Sequence, residues 1–113
     1  MPDTTRKAVR QKLIQTVVLE KIEREHLSVD TAQVRNSLRK IRGHVQGKTM
    51  LDCVARWEQL IQSDDLDLIR SVVLAPDEIG AEMRNLSPLT SLLTEQERLS
   101  VLETVRQRRP TLE

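Results

Sequence analysis

Gly43-His44-Val45-Gln46-Gly47-Lys48-Thr49-Met50-Leu51-Asp52-Cys53-Val54-Ala55-Arg56-Trp57-Glu58-Gln59-Leu60 contains the one tryptophan of a chain that has no Phe and no Tyr. Any core must therefore consist of aliphatic side chains gathered around a single indole, which makes the helix carrying Trp57 the central packing element. The glycine-bounded loop Gly43–Lys48 leads into it. Thr49 is the expected N-cap, with Asp52 three residues on as a weaker form of the capping box. Leu51, Val54, Trp57 and Ile61 fall on the expected buried side, Met50, Cys53 and Leu60 at its edges, and Asp52, Arg56 and Gln59 toward water.

Upstream of this helix, the stretch from Thr4 to about His26 lacks Gly and Pro. It carries two apolar rows at four-residue steps, Val9-Leu13-Val17 and Ile14-Val18-Ile22, and is the longest predicted helix. The arc is wider than one small core requires. Either other helices of the same chain cover both rows, or Val9, Leu13 and Val17 form a homodimer seam. A second helix is expected from about Val29 to Arg42, with Ser28 as N-cap and Asp30 in its first turn. Its apolar stripe, Val34, Leu38 and Ile41, is flanked by Arg35, Arg39 and Arg42, with Lys40 further round and Lys48 in the next loop. That spacing predicts a basic ridge beside a buried seam.

Downstream, Ser63 is the expected start of a fourth helix with Asp64, Asp65 and Asp67 in its opening turns and Leu66, Ile69, Val72 and Val73 inward. Ala75-Pro76 ends it. A short fifth helix follows over Asp77–Asn85, showing Ile79 and Met83 on one side despite Gly80. Ser87-Pro88 reads as an N-cap followed by proline at the first helical position. Thr94-Glu95-Gln96-Glu97 is a full capping box for a last helix whose Leu99, Leu102 and Val105 are expected to face the core. That helix should end near Arg106 to Arg109, before Pro110. The fold class is thus all-α: a compact bundle of about five to seven helices, residues 1–113 forming a single helical domain, with a longer N-terminal helix suited to dimerisation.

With 113 residues, 38% of them hydrophobic and 31% charged, the chain has the size and composition of one globular domain. The formal charge of +1 conceals an asymmetry: residues 1–48 hold 11 Lys/Arg against 5 Asp/Glu, net +6, and residues 49–113 hold 7 against 12, net −5. The lone cysteine, Cys53, excludes an intrachain disulfide and fits a reducing compartment. The charged N-terminal stretch does not resemble a signal peptide, and no apolar block is long enough for a membrane span. A cytoplasmic protein with no membrane association is expected.

Catalytic and metal-binding patterns fail residue by residue. His26 and His44 fall at a helix end and in a loop, outside any motif, and Cys53 has the setting of a small buried hydrophobe. Gly43 and Gly47-Lys48-Thr49 superficially follow the phosphate-loop pattern, but three residues separate the glycines where four are needed, and a helix rather than a strand precedes them. Counted from Asp64, the sixth and twelfth positions of a calcium loop hold Ile69 and Ala75 instead of Gly and Glu. Catalytic, metal and cofactor sites are therefore not expected, and the protein is read as no enzyme. The expected function is that of a small regulatory or adaptor protein acting by protein–protein association, of antitoxin, inhibitor or assembly-factor type. The alternative is a DNA- or RNA-binding regulator using Arg35, Arg39, Lys40, Arg42 and Lys48, with Gln33 and Asn36 available for base edges.

Overall fold

The indole of Trp57 is completely enclosed, and its Nε1 donates to the backbone carbonyl of Met83 at 3.0 Å. In a computed structural model that describes residues 6–108, six α-helices and one 3-10 turn assemble around this ring, with no strand among the described residues. The helices are α1 (Arg6–Glu25), α2 (Ala32–His44), α3 (Lys48–Ser63), α4 (Leu66–Val73), α5 (Glu78–Asn85) and α6 (Glu95–Arg108), with the 3-10 turn Pro88–Leu92 between the last two. The all-α bundle read from the sequence is the architecture observed. The core draws on both halves of the chain, Val18, Leu19 and Val34 from the first and Ile69, Met83 and Leu89 from the second, all at most 2% exposed. The radius of gyration is 14.0 Å, close to the value of about 13 Å expected for a folded chain near this length.

Most helix starts are fixed by side-chain oxygens that accept otherwise unpaired amide protons. Asp65 accepts from Leu68 N at 3.2 Å, Asp77 from Gly80 N at 2.7 Å and Ser87 from Leu89 N at 3.1 Å. Thr94 and Glu97 complete the reciprocal box: Glu97 N donates to Thr94 Oγ1 at 3.1 Å, and Thr94 N donates to Glu97 Oε1 at 2.8 Å. Arg84 closes the other end of α4, its Nη1 donating to the carbonyls of Val73 (2.9 Å) and Ala75 (2.8 Å).

Several boundaries differ from the expected ones. The second helix starts at Ala32, capped by Thr31, and not at Val29 behind Ser28. Ser28 Oγ and Val29 N instead donate to the carboxylate of Asp64 at 2.7 and 2.9 Å, which keeps this linker out of the helix. Asp64 is itself the left-handed C-cap of α3 (φ 50°), so the fourth helix is capped by Asp65 and not by Ser63. Gly47, at φ 94°, is the N-cap of α3 in place of Thr49, a backbone setting that suits glycine and few other residues. Rotations differ too: Leu51, Ile79 and Leu99 are 44–52% exposed, while Cys53, Leu60 and Val101 lie in the core. Thr4 and Thr5, and Arg109 with Pro110, lie outside the described residues.

Polar ties set the relative placement of the helices. Lys21 is buried at the α1–α6 contact, where its Nζ donates to Glu97 Oε1 (2.7 Å) and to the carbonyl of Leu92 (2.8 Å). Arg70 joins α4 to α1 through Glu23 at 2.8 Å. Gln15 is fully enclosed on α1, and neither of its amide atoms has a hydrogen-bond partner among the described residues.

Candidate interaction surfaces

The four-residue step from Arg35 to Arg39 and the three-residue step to Arg42 bring these side chains to one side of α2, as the sequence predicts. The structure adds what they face. Arg35, Arg39 and Arg42 line a cleft of about 140 Å³ between α2 and α3, together with Leu38, Ile61 and Glu58. Leu38 and Ile61 are buried, so an apolar base lies beneath a rim of guanidinium groups. The rim is partly neutralised from within. Arg42 Nη1 pairs with Glu58 Oε2 at 3.0 Å, and Arg35 Nε pairs with Asp30 Oδ1 at 2.5 Å. The hydrogen bond from Arg35 holds the Asp30 carboxyl below its ordinary range. Arg39 differs: its Nη1 donates to the neutral side-chain oxygen of Asn36 at 2.6 Å, and it has no ion pair among the described residues.

The remaining basic candidates lie outside this cleft. Lys48 pairs with Asp52 one turn along α3 at 2.9 Å and is largely exposed, and Lys40 is exposed further round α2. Gln33 and Asn36, the residues expected to reach base edges, are engaged within the chain: Gln33 donates to the Ser91 carbonyl and Asn36 accepts from Arg39. Glu58 and Asp30 are additions of the structure to the ridge that the sequence reading does not contain. Only the antiparallel return of α3 past α2 could have pointed to Glu58, and its spacing from Arg42 is non-local.

The second surface runs along α1. Ile14, Val18 and Ile22 are buried as one row. In the other row Val9 is 49% exposed, while Leu13 and Val17 are half-buried and line an open groove of about 500 Å³ against α6. The α6 wall consists of Thr94, Gln96, Glu97, Ser100, Val101 and Thr104. Leu13 and Val17 thus border a depression shared by two helices, with α6 covering one flank.

The histidines, Cys53 and the acidic run each have a structural setting. His26, at φ 54°, ends α1: its N–H and that of Leu27 reach back to Glu23 O and Ile22 O at 3.4 and 3.0 Å. His44 Nδ1 lies 2.7 Å from the Lys40 carbonyl in the last turn of α2. Burial pushes the Cys53 thiol up, and the nearby Glu82 carboxylate adds to the shift, so the thiolate needed for nucleophilic chemistry is disfavoured. The acidic run divides into caps and pairs: Asp64 and Asp65 at helix ends, and Asp67 with Arg70 at 3.2 Å. Among the described residues no group of three or more His, Cys, Asp or Glu is placed to hold a metal ion, and no helix is long and apolar enough to cross a membrane.

Comparison with protein-family models, with curated proteins and with solved structures returned no match to this chain.

Proposed function

We propose that this protein is a small regulatory or adaptor module that acts by binding a protein partner, and that an acidic segment of the partner docks in the α2–α3 cleft. Arg39 carries this reading. It lies between Arg35 and Arg42 along the ridge, and among the described residues it is the ridge arginine with no ion pair. A guanidinium accepts a carboxylate through two parallel N–H···O bonds, and the buried Leu38 and Ile61 suit the aliphatic stem that a Glu or Asp side chain brings with it. Glu58 and Asp30 favour a partner with one or two well-placed acidic groups over a polyphosphate backbone, whose closely spaced charges they would repel.

The test is affinity capture from nuclease-treated lysate with the wild-type protein and with Arg39→Glu, with helicity followed by circular dichroism. The expected result is a protein partner that survives nuclease and is lost with the substitution at unchanged helicity. Loss of all bound material to nuclease transfers the reading to nucleic acid, for which affinity falls steeply between about 50 and 200 mM salt. Equal capture by both forms removes the cleft from the reading.

A further inference from the structure

The outward side of α1 is polar at its ends and apolar in its middle. Arg6, Val9, Leu13, Val17 and Glu20 succeed one another at three- and four-residue steps, so they share a stripe turned away from the buried row Ile14-Val18-Ile22. Arg6, Val9 and Glu20 are exposed, and Leu13 and Val17 are half-buried beside the open groove against α6. Neither Arg6 nor Glu20 has an ion-pair partner among the described residues, whereas the neighbouring Glu23 is taken by Arg70.

We propose that this stripe is a self-complementary docking surface on which α1 of a second copy lies antiparallel, with Leu13 on the two-fold axis. In that register Val9 of each copy meets Val17 of the other, and Arg6 of each meets Glu20 of the other. The contact is isologous, as a closed dimer requires: Leu13 meets its own copy once on the axis, and every off-axis pairing occurs twice. Arg6 and Glu20 stand about 21 Å apart along the helix at 1.5 Å per residue, so the two ion pairs bracket the apolar centre. A parallel pairing would set Arg6 on Arg6 and Glu20 on Glu20, and like charges select against it. The α6 flank permits close approach because Ser100 and Thr104 present small side chains to the groove. This face is separate from the α2–α3 cleft and stands or falls independently of it.

The proposal is tested by charge exchange, read as dissociation constants from sedimentation equilibrium. Arg6→Glu and Glu20→Arg each replace two attractions by two repulsions in the dimer, and each raises the dissociation constant by roughly tenfold or more. Both substitutions suit the helix dipole, acid toward the N-terminus and base toward the C-terminus, so unchanged helicity is expected in each. The double variant Arg6→Glu/Glu20→Arg restores wild-type association, as does an equimolar mixture of the two single variants. A wild-type mass of one chain at high micromolar concentration overturns the proposal. So does a dimer indifferent to the single exchanges, or one that the double variant fails to restore.

Discussion

Replacing Trp57 by Phe separates the two contributions that make this residue central. The substitution keeps an aromatic ring on α3 but removes the N–H that reaches the Met83 carbonyl at 3.0 Å. That carbonyl lies in the last turn of α5, where the following amides go elsewhere, Leu86 N to Glu82 O (3.0 Å) and Ser87 N to Arg84 O (3.3 Å). Leaving it buried and unpaired costs about 1–3 kcal/mol. The smaller ring also leaves roughly 40 Å³ unfilled, worth about 1 kcal/mol if the surroundings do not collapse. A loss of about 2–4 kcal/mol is expected, a large part of the 5–15 kcal/mol typical of a domain. Urea unfolding followed by far-ultraviolet circular dichroism measures it, because the substitution removes the intrinsic fluorophore. The midpoint should fall by about 1–2 M with an unchanged slope. A loss below about 1 kcal/mol would refute the reasoning, since neither the indole hydrogen bond nor the enclosure of the ring would then have the assigned weight.

Gly80→Ala should destabilise the protein by about 1–3 kcal/mol, although alanine is the better helix former by about 1 kcal/mol. A Cβ at Gly80 would stand 2.1 Å from the Ala75 carbonyl oxygen, which Arg84 already holds, and thermal denaturation showing higher stability would contradict this close approach. For pH, the Glu97 carboxyl is held down at about 2 by the hydrogen bond from Lys21 and then by the Thr94 amide. Its folded pKa is depressed, so its contribution is fully present above the unfolded value near 4.5 and is lost as pH falls toward 2. Glu97→Gln should therefore flatten the acid limb of the stability profile over that interval, and an unchanged limb in acid titrations followed by circular dichroism would count against the Lys21–Glu97 bond.

What could be read from the sequence was local. The caps at Ser87 and at Thr94 with Glu97 satisfy amides within three residues of themselves, so their spacing suffices. The start of α2 did not have that property. Ser28 and Thr31 are both good caps three residues apart, and the choice falls to Thr31 because Asp64 claims Ser28 and Val29 from 36 and 35 residues away. On α6 the expected core face holds at Val105 and Leu102 but not at Leu99, for a related reason. Its apolar residues define no single side, and the helix is turned by the Lys21–Glu97 bond and by Val101 and Val105 in the core, leaving Leu99 outside. At the candidate site, the ridge follows from i, i+4, i+7 spacing within one helix. The base and the opposing carboxylate come from α3 and become visible only when the two helices are placed side by side.

The charge asymmetry between the two halves takes on a different meaning once each acid has a location. The second half carries the negative excess, yet Asp64, Asp65, Asp77 and Glu97 are occupied at helix ends, and Asp67 and Glu103 pair with arginines one turn away. A carboxylate at a helix N-terminus, as at Asp65, Asp77 and Glu97, is compensated by the field of that helix, so it projects less potential than its formal charge suggests. The first half spends fewer of its cations this way. Arg6 and Arg39 have no ion pair among the described residues, and Lys40 is exposed beside the ridge. The charges of the two halves therefore do different work: many acids of the second half hold helices in place, while Arg39 of the first half lies over the apolar base of the cleft with no ion pair among the described residues. Under the proposed function, the partner should accordingly bring a carboxylate to Arg39.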